Sequence, residues 1–262
     1  MAENGLMILR DFAFTGNNDF YFNKLSELEE MAEKENWTID SEYPLGVLKF
    51  YIDKTFERAF NTNNILFDEK NDYCCFNTGL LTKNYESIIM MFKRNEMVGR
   101  QEWFFIDFFI ESNREFLDKF EKTPCVVKHY DNFEDLIFDP NLEIVINYQH
   151  IIEENWERFH TDIANLGKPA VQVMLKGVVE STKKLIERNH RIAVPQYYNN
   201  KIMFLLPLNL PVDNKIYTMA LAVEKVKSRY RANTIFTLDW AYSLARLISK
   251  PENSWLIPNS EI

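Results

Sequence analysis

KPAVQVMLKGVVESTKKLIERNH (168–190), RIAVPQYYNNKIMFLLPL (191–208), KIYTMALAVEKVKSRYRANTIFTL (215–238) and DWAYSLARLISK (239–250) are the stretch that decides the fold. In the first segment Val171, Met174, Leu175, Val178, Val179, Leu185 and Ile186 recur at spacings of three, four and seven. That is one apolar stripe on a helix of about five turns. Lys176, Glu180, Lys183, Lys184 and Glu187 stand four apart in opposite-sign pairs, which predicts a solvated opposite face. Asn189 and His190 end the pattern.

IAVPQYY and KIMFLLPL read as strands separated by Asn199-Asn200, a pair that tolerates left-handed backbone in a tight turn. IYTMALAVEKV and ANTIFTL follow, joined by the basic turn 227–231. The expectation is two consecutive antiparallel hairpins in one sheet over 190–238. Pro195 and Pro207 cannot donate ladder bonds and should sit at strand ends, bulges or an edge. Asp239 is predicted to cap a last helix, with Trp240, Leu244, Leu247 and Ile248 on its core side. Tyr242, Arg246 and Ser249 then fall on the polar side.

The same stretch, 168–250, carries 14 Lys+Arg and five acidic residues in a chain whose net charge is −9. Residues 1–167 hold 16 basic and 32 acidic residues. A basic third inside an acidic protein is where charge arithmetic places an anionic ligand.

Outward from that stretch, KLSELEEMAEKE (24–35) is an acidic helix, and YPLGVLKFYIDKTFERAF (43–60) a second helix with Leu48, Ile52, Phe56 and Phe60 inward. NILFDEKNDYCCFNTGLLT (64–82) reads as a hairpin turning at Asp68–Asp72, its second strand ending in a polar bend at Asn77-Thr78-Gly79. YESIIMMFKRN fits helix or strand equally. EWFFIDFFI is a central strand holding Asp107, CVVKHY and EIVINY are further strands, and YQHIIEENWERFHTDI is one continuing helix. There is no internal repeat and no Gly/Ser/Pro linker to license a cut. The expected fold is α+β, a single domain over 1–262 with a mixed, largely antiparallel sheet and flanking helices. Its parts are an acidic segment, 1–167, and a basic core segment, 168–250.

FAF (12–14), FNTGLLT (76–82), HIIEENWERF (150–159), RNHRIAVPQYYNNKIMFLLPLNL (188–210) and TIFTLDWAYSLARLI (234–248) stand in this order along the chain. Together they resemble a known family, domain-of-unknown-function family 3825. Five strings in order span most of the chain. Proteins similar to this one are sometimes joined to cold-shock or other RNA-binding modules, so the resemblance implies a role near RNA. It implies no catalytic residue.

Chemistry by motif is mostly excluded. The four histidines lack zinc spacing, and Cys74-Cys75 lacks partners at ligand spacing. There is no GxGxxG, no GxxxxGK[ST] and no serine- or cysteine-hydrolase signature. Asp107, Asp139 and Asp239 are only loosely a magnesium-nuclease set. Neither metal nor cofactor is expected. The opening MAENGLMILRDF has no signal-peptide pattern, and no apolar run approaches the ~20 residues that span a bilayer. Three cysteines, two of them adjacent, point to a reducing compartment. The expectation is a cytoplasmic protein that does not contact membranes.

What remains is a metal-free constellation. His150, Arg158 and Arg246 are the candidate catalytic groups; Asn77, Thr78, Asn155, Arg188, Asn189, Gln196 and Tyr242 are the candidate ligand donors. Histidine moves protons, while Arg and amide donors stabilise charge on a phosphoryl group. The same residues equally serve as helix caps, ion-pair partners and core donors. Three functions stay open: RNA or nucleotide binding, metal-independent phosphodiester or nucleotide hydrolysis, and docking of a protein partner on the acidic segment.

Overall fold

The four runs after residue 190 form a meander in the computed structural model of the chain, which describes residues 7–39 and 42–257. They are β7 (Val194–Tyr198), β8 (Lys201–Val212), β9 (Lys215–Val226) and β10 (Arg229–Phe236). Asn199-Asn200 and Asp213-Asn214 turn with positive φ at both residues, the geometry that matches strand twist. Between β9 and β10 the turn is Lys227-Ser228 alone. Arg229 and Arg231, expected in that turn, belong to the strand.

Both prolines sit where the ladder has no need of them. Pro195 lies on β7, the edge of the sheet. β7 covers β8 only over 201–205, so Pro207 faces an open flank. There the Pro207 carbonyl accepts the Thr182 hydroxyl at 2.6 Å.

The chain gathers into two compact units, Met1–His129 and Tyr130–Ile262. Among the described residues each holds a five-stranded mixed sheet flanked by helices, so the class is α+β. In the second unit β6 (Glu143–Ile146) joins β10 in parallel, giving the order β6-β10-β9-β8-β7. α5 (Tyr148–Glu154), α6 (Thr161–Ala164) and α7 (Lys168–Arg188) follow β6. α7 buries Val171, Leu175, Val179, Thr182 and Ile186 against alternate residues of β8, Phe204 to Val212. Leu185, expected in the stripe, is exposed. α8 (Leu238–Arg246) packs on β7 and β9.

The predicted helix over 148–163 is broken. α5 ends at Glu154, residues 156–158 make a 3-10 turn, and α6 starts at Thr161. CVVKHY is likewise no strand: Val126 makes one isolated bridge to Asn77. Charge also redistributes, because the second unit takes in the acidic residues 130–167. It holds 15 Lys+Arg against 16 Asp+Glu, and the first unit 15 against 23. Part of the basic stretch is paired locally, with Lys201 at 2.6 Å and Arg231 at 3.4 Å from Glu224.

The first unit runs α1 (Leu9–Phe12), β1 (Ala13–Phe14), α2 (Asn18–Met31), α3 (Gly46–Asn61), β2 (Leu66–Phe67), β3 (Tyr73–Leu81), β4 (Ser87–Arg94), β5 (Trp103–Ile110) and α4 (Arg114–Leu117). Its sheet order is β1-β5-β4-β3-β2. Leu48, Ile52 and Phe56 of α3 are fully buried, as their spacing predicts. Asp107, inside the apolar β5, is answered by Lys24 at 2.7 Å. β3 does not stop at Asn77: it bulges through Gly79, at φ +76, and pairs again at Leu81.

Strand alternation sends the adjacent thiols to opposite faces. Cys75 packs with Ile89, Met91 and Phe109, and Cys74 lies opposite Phe92. Burial raises both thiols far above the ordinary range. An aromatic disulfide reagent is therefore expected to titrate one thiol of the native protein, the exposed Cys125, and all three after denaturation. Fast reaction of a second thiol would contradict this packing.

Candidate functional site

α5 stops because Asn155 turns its side chain inward. Its Oδ1 accepts the Thr234 hydroxyl at 2.7 Å and Arg158 Nη1 at 2.5 Å. Arg158 Nη1 also donates to Thr234 Oγ1 at 2.9 Å and to the Ile235 carbonyl at 2.5 Å. The guanidinium lies over the Phe236 ring, 5.5 Å from its centroid. One nitrogen thus pins the group to β10. Nε and Nη2, the edge that engages two oxygens of an oxyanion, make no hydrogen bond among the described residues.

Beside it is a shallow cavity of about 380 Å3 lined by Arg158, His160, Tyr217, Thr237 and apolar neighbours including Ile216 and Met219. His160 caps α6, Nδ1 accepting the Asp162 N–H at 3.2 Å. A neutral His160 therefore carries its proton on Nε2. Its ring stacks on Tyr217, centroids 4.5 Å apart and planes 25° apart. The Tyr217 hydroxyl donates to the Asp162 carboxylate, which pushes the phenol above its ordinary range. Thr237 stands exposed at the N-cap of α8 with no side-chain capping bond. A fixed guanidinium edge, an imidazole donor, a hydroxyl and the positive end of a helix dipole are a phosphate's usual partners.

The structure joins some of the sequence candidates and separates others. Asn155 and Arg158 are in direct contact. His150 is exposed on α5 and does not line the cavity. Arg188 and Asn189 are exposed at the end of α7, where Asn189 Oδ1 accepts the Arg191 N–H. Tyr242, expected on the polar face of α8, is buried, whereas Trp240, expected inside, is 42% exposed. The first residue of α8 is Leu238, so Asp239 lies in its first turn and is not its cap. Arg246 ends the helix half-buried.

Gln196 is fully buried on β7, and neither polar atom of its amide has a hydrogen-bond partner among the described residues. Such a burial costs about 1–3 kcal/mol. Nothing in the fold accounts for it. Asn77 and Thr78 belong to the first unit and are buried, correcting the exposed bend. Asn77 donates to the Pro124 carbonyl and accepts the Gly79 N–H. Thr78 Oγ1 donates to the Ile88 carbonyl.

His160, Tyr217 and Thr237 line the cavity without belonging to any sequence motif. His160 had a local signal, since a side-chain acceptor two residues before Asp162 fits a helix cap. The stacking of Tyr217 on it joins positions 57 apart and left none.

The model of the domain of unknown function DUF3825 matches residues 28–255. The chain belongs to the DUF3825 family. No curated protein and no solved structure matches it. The DUF3825 match runs through both units and covers the whole Arg158 cavity. Among the described residues of this DUF3825 chain, no three His, Cys, Asp or Glu side chains gather as a metal site. No described helix is long and apolar enough to cross a membrane.

Proposed function

We propose that the second unit binds a nucleotide, free or at the end of an RNA strand, in the Arg158 cavity. The observation that carries this reading is the pinned guanidinium: its outer edge is held open beside the His160–Tyr217 stack. The phosphate meets Arg158, Thr237 and the α8 dipole, and the base lies against Ile216 and the stacked rings. With 15 basic and 16 acidic residues the unit has no general attraction for polyanions, which favours one discrete site over non-specific duplex binding. A cytoplasmic setting goes with this ligand class.

Arg158→Lys keeps the charge and loses the fork. Titration calorimetry with 5′-AMP and with a single-stranded RNA hexamer is expected to show at least ~10-fold weaker binding by the variant, about 1.4 kcal/mol. Stability should fall as well, by about 1 kcal/mol, because Asn155 loses a partner. Wild-type affinity in the variant refutes the reading.

The rival is metal-independent hydrolysis, favoured by the donor on His160 Nε2 beside Arg158. It moves the proton-transfer role from His150 to His160. Release of mononucleotide from the hexamer by wild-type protein, abolished in His160→Ala, would establish it. The protein-docking reading rests on the first unit's 23 acidic against 15 basic residues alone.

A further inference from the structure

The first unit contains a cavity of its own, about 390 Å3, between the start of α2 and one face of α3. Thr15, Gly16, Asn17 and Asn18 form one wall, Lys49, Asp53, Lys54 and Glu57 the other, and Arg10 the rim. Gly16 is required in that wall. It has φ +81, and a Cβ there would come within 2.5 Å of the Phe20 ring. The turn therefore presents the helix start directly to the cavity. Asn17 Oδ1 takes the Phe20 N–H and the Asn17 carbonyl takes that of Tyr21, while the amides of Asn18 and Asp19, in the first turn of α2, have no acceptor within the helix.

A second feature is independent of the helix end. Tyr21 lines this cavity at 8% exposure, and its hydroxyl has no hydrogen-bond partner among the described residues. A buried hydroxyl without a partner is costly unless something fills the position. Burial, and then the charge of Asp53, holds the phenol well above its ordinary range, so it stays a donor.

The carboxylates are locally answered, Lys49 at 2.5 Å from Asp53 and Lys54 at 2.7 Å from Glu57. Arg10 is the surplus charge, its one ion pair among the described residues being a marginal one with Asp11 at 4.0 Å. Burial raises the Asp53 carboxyl against the hydrogen bond and charge of Lys49.

We infer that this cavity binds the phosphate of a small phosphomonoester, held by the α2 amides, the Tyr21 hydroxyl and Arg10. The apolar side chains of Ile8, Leu9 and Phe50 receive the organic part. The site is separate from the Arg158 cavity and does not depend on it.

Inorganic phosphate titrated into the 15N-labelled full chain tests this at constant ionic strength, following the amides of Gly16, Asn18 and Asp19. The wild type should give saturable shifts. Tyr21→Phe and Arg10→Gln should each weaken binding at least 5-fold. The phosphate-free Tm should be unchanged in Arg10→Gln and equal or higher in Tyr21→Phe, which removes only an unsatisfied group. Shifts that do not saturate, that chloride reproduces, or that persist at wild-type affinity in either variant overturn the assignment.

Discussion

Phe56→Ala is expected to cost the first unit about 3–5 kcal/mol. Phe56 is fully buried on α3, at the centre of a ring cluster. Its centroid lies 5.0 Å from Phe12, 5.7 Å from Phe76, 6.2 Å from Phe92 and 6.3 Å from Phe60. Phe76 and Phe92 are held by the β3 and β4 ladders and cannot move in to fill the gap. The cavity term therefore adds to the lost transfer energy instead of relaxing away. Because domains are stable by only about 5–15 kcal/mol, the variant should unfold at much lower urea. Phe56→Leu keeps most of the volume and should cost about half as much or less. A loss under 1 kcal/mol for the alanine variant would show that these rings do not form the core.

The second large effect is an acid sensitivity seated at His129. The residue is 4% exposed, and burial, followed by the nearby Arg58 charge, lowers its pKa to about 3. Unfolded histidine titrates near 6.5. Between those values the unfolded chain binds a proton that the folded chain refuses, so stability falls as pH falls through this window. The slope from one such group is about 1.4 kcal/mol per pH unit. Urea unfolding at pH 6.5 and pH 5.0 should show wild type losing about 1–2 kcal/mol more than His129→Gln, the unfolded histidine being already half protonated at pH 6.5. That interval lies above the main carboxylate titrations, and the difference between the proteins isolates one group. Equal losses in both would mean that His129 is protonated in the folded protein.

Local pattern carried much of the architecture. The alternation over 192–238, with Asn199-Asn200 able to take positive φ, specified the meander before any long-range contact was considered. The stripe Val171, Leu175, Val179 specified α7 and its inward face in the same way. The Asp68–Asp72 turn placed the β2–β3 hairpin, and opposite facing of Cys74 and Cys75 followed from strand geometry alone. These features depend on neighbours within about ten residues, where covalent connection fixes the spacing.

Other features depended on partners far along the chain. The helix over 148–163 breaks because Asn155 and Arg158 find Thr234 and Ile235, 79 and 77 residues away. No periodicity in 148–163 records that. α8 lies across the sheet, so Tyr242 is buried and Trp240 exposed, the reverse of what an amphipathic wheel assigns; a wheel assumes one buried side and cannot say how much of the circumference neighbours will cover. The basic stretch loses its surplus of charge once residues 130–167 fold beside it, because charge acts through space and not along sequence. The sequence by itself thus determined the β7–β10 meander and the long helix α7. Only the tertiary structure decided that His160, and not His150, lines the Arg158 cavity, because Tyr217 of β9 comes to stack on the His160 ring.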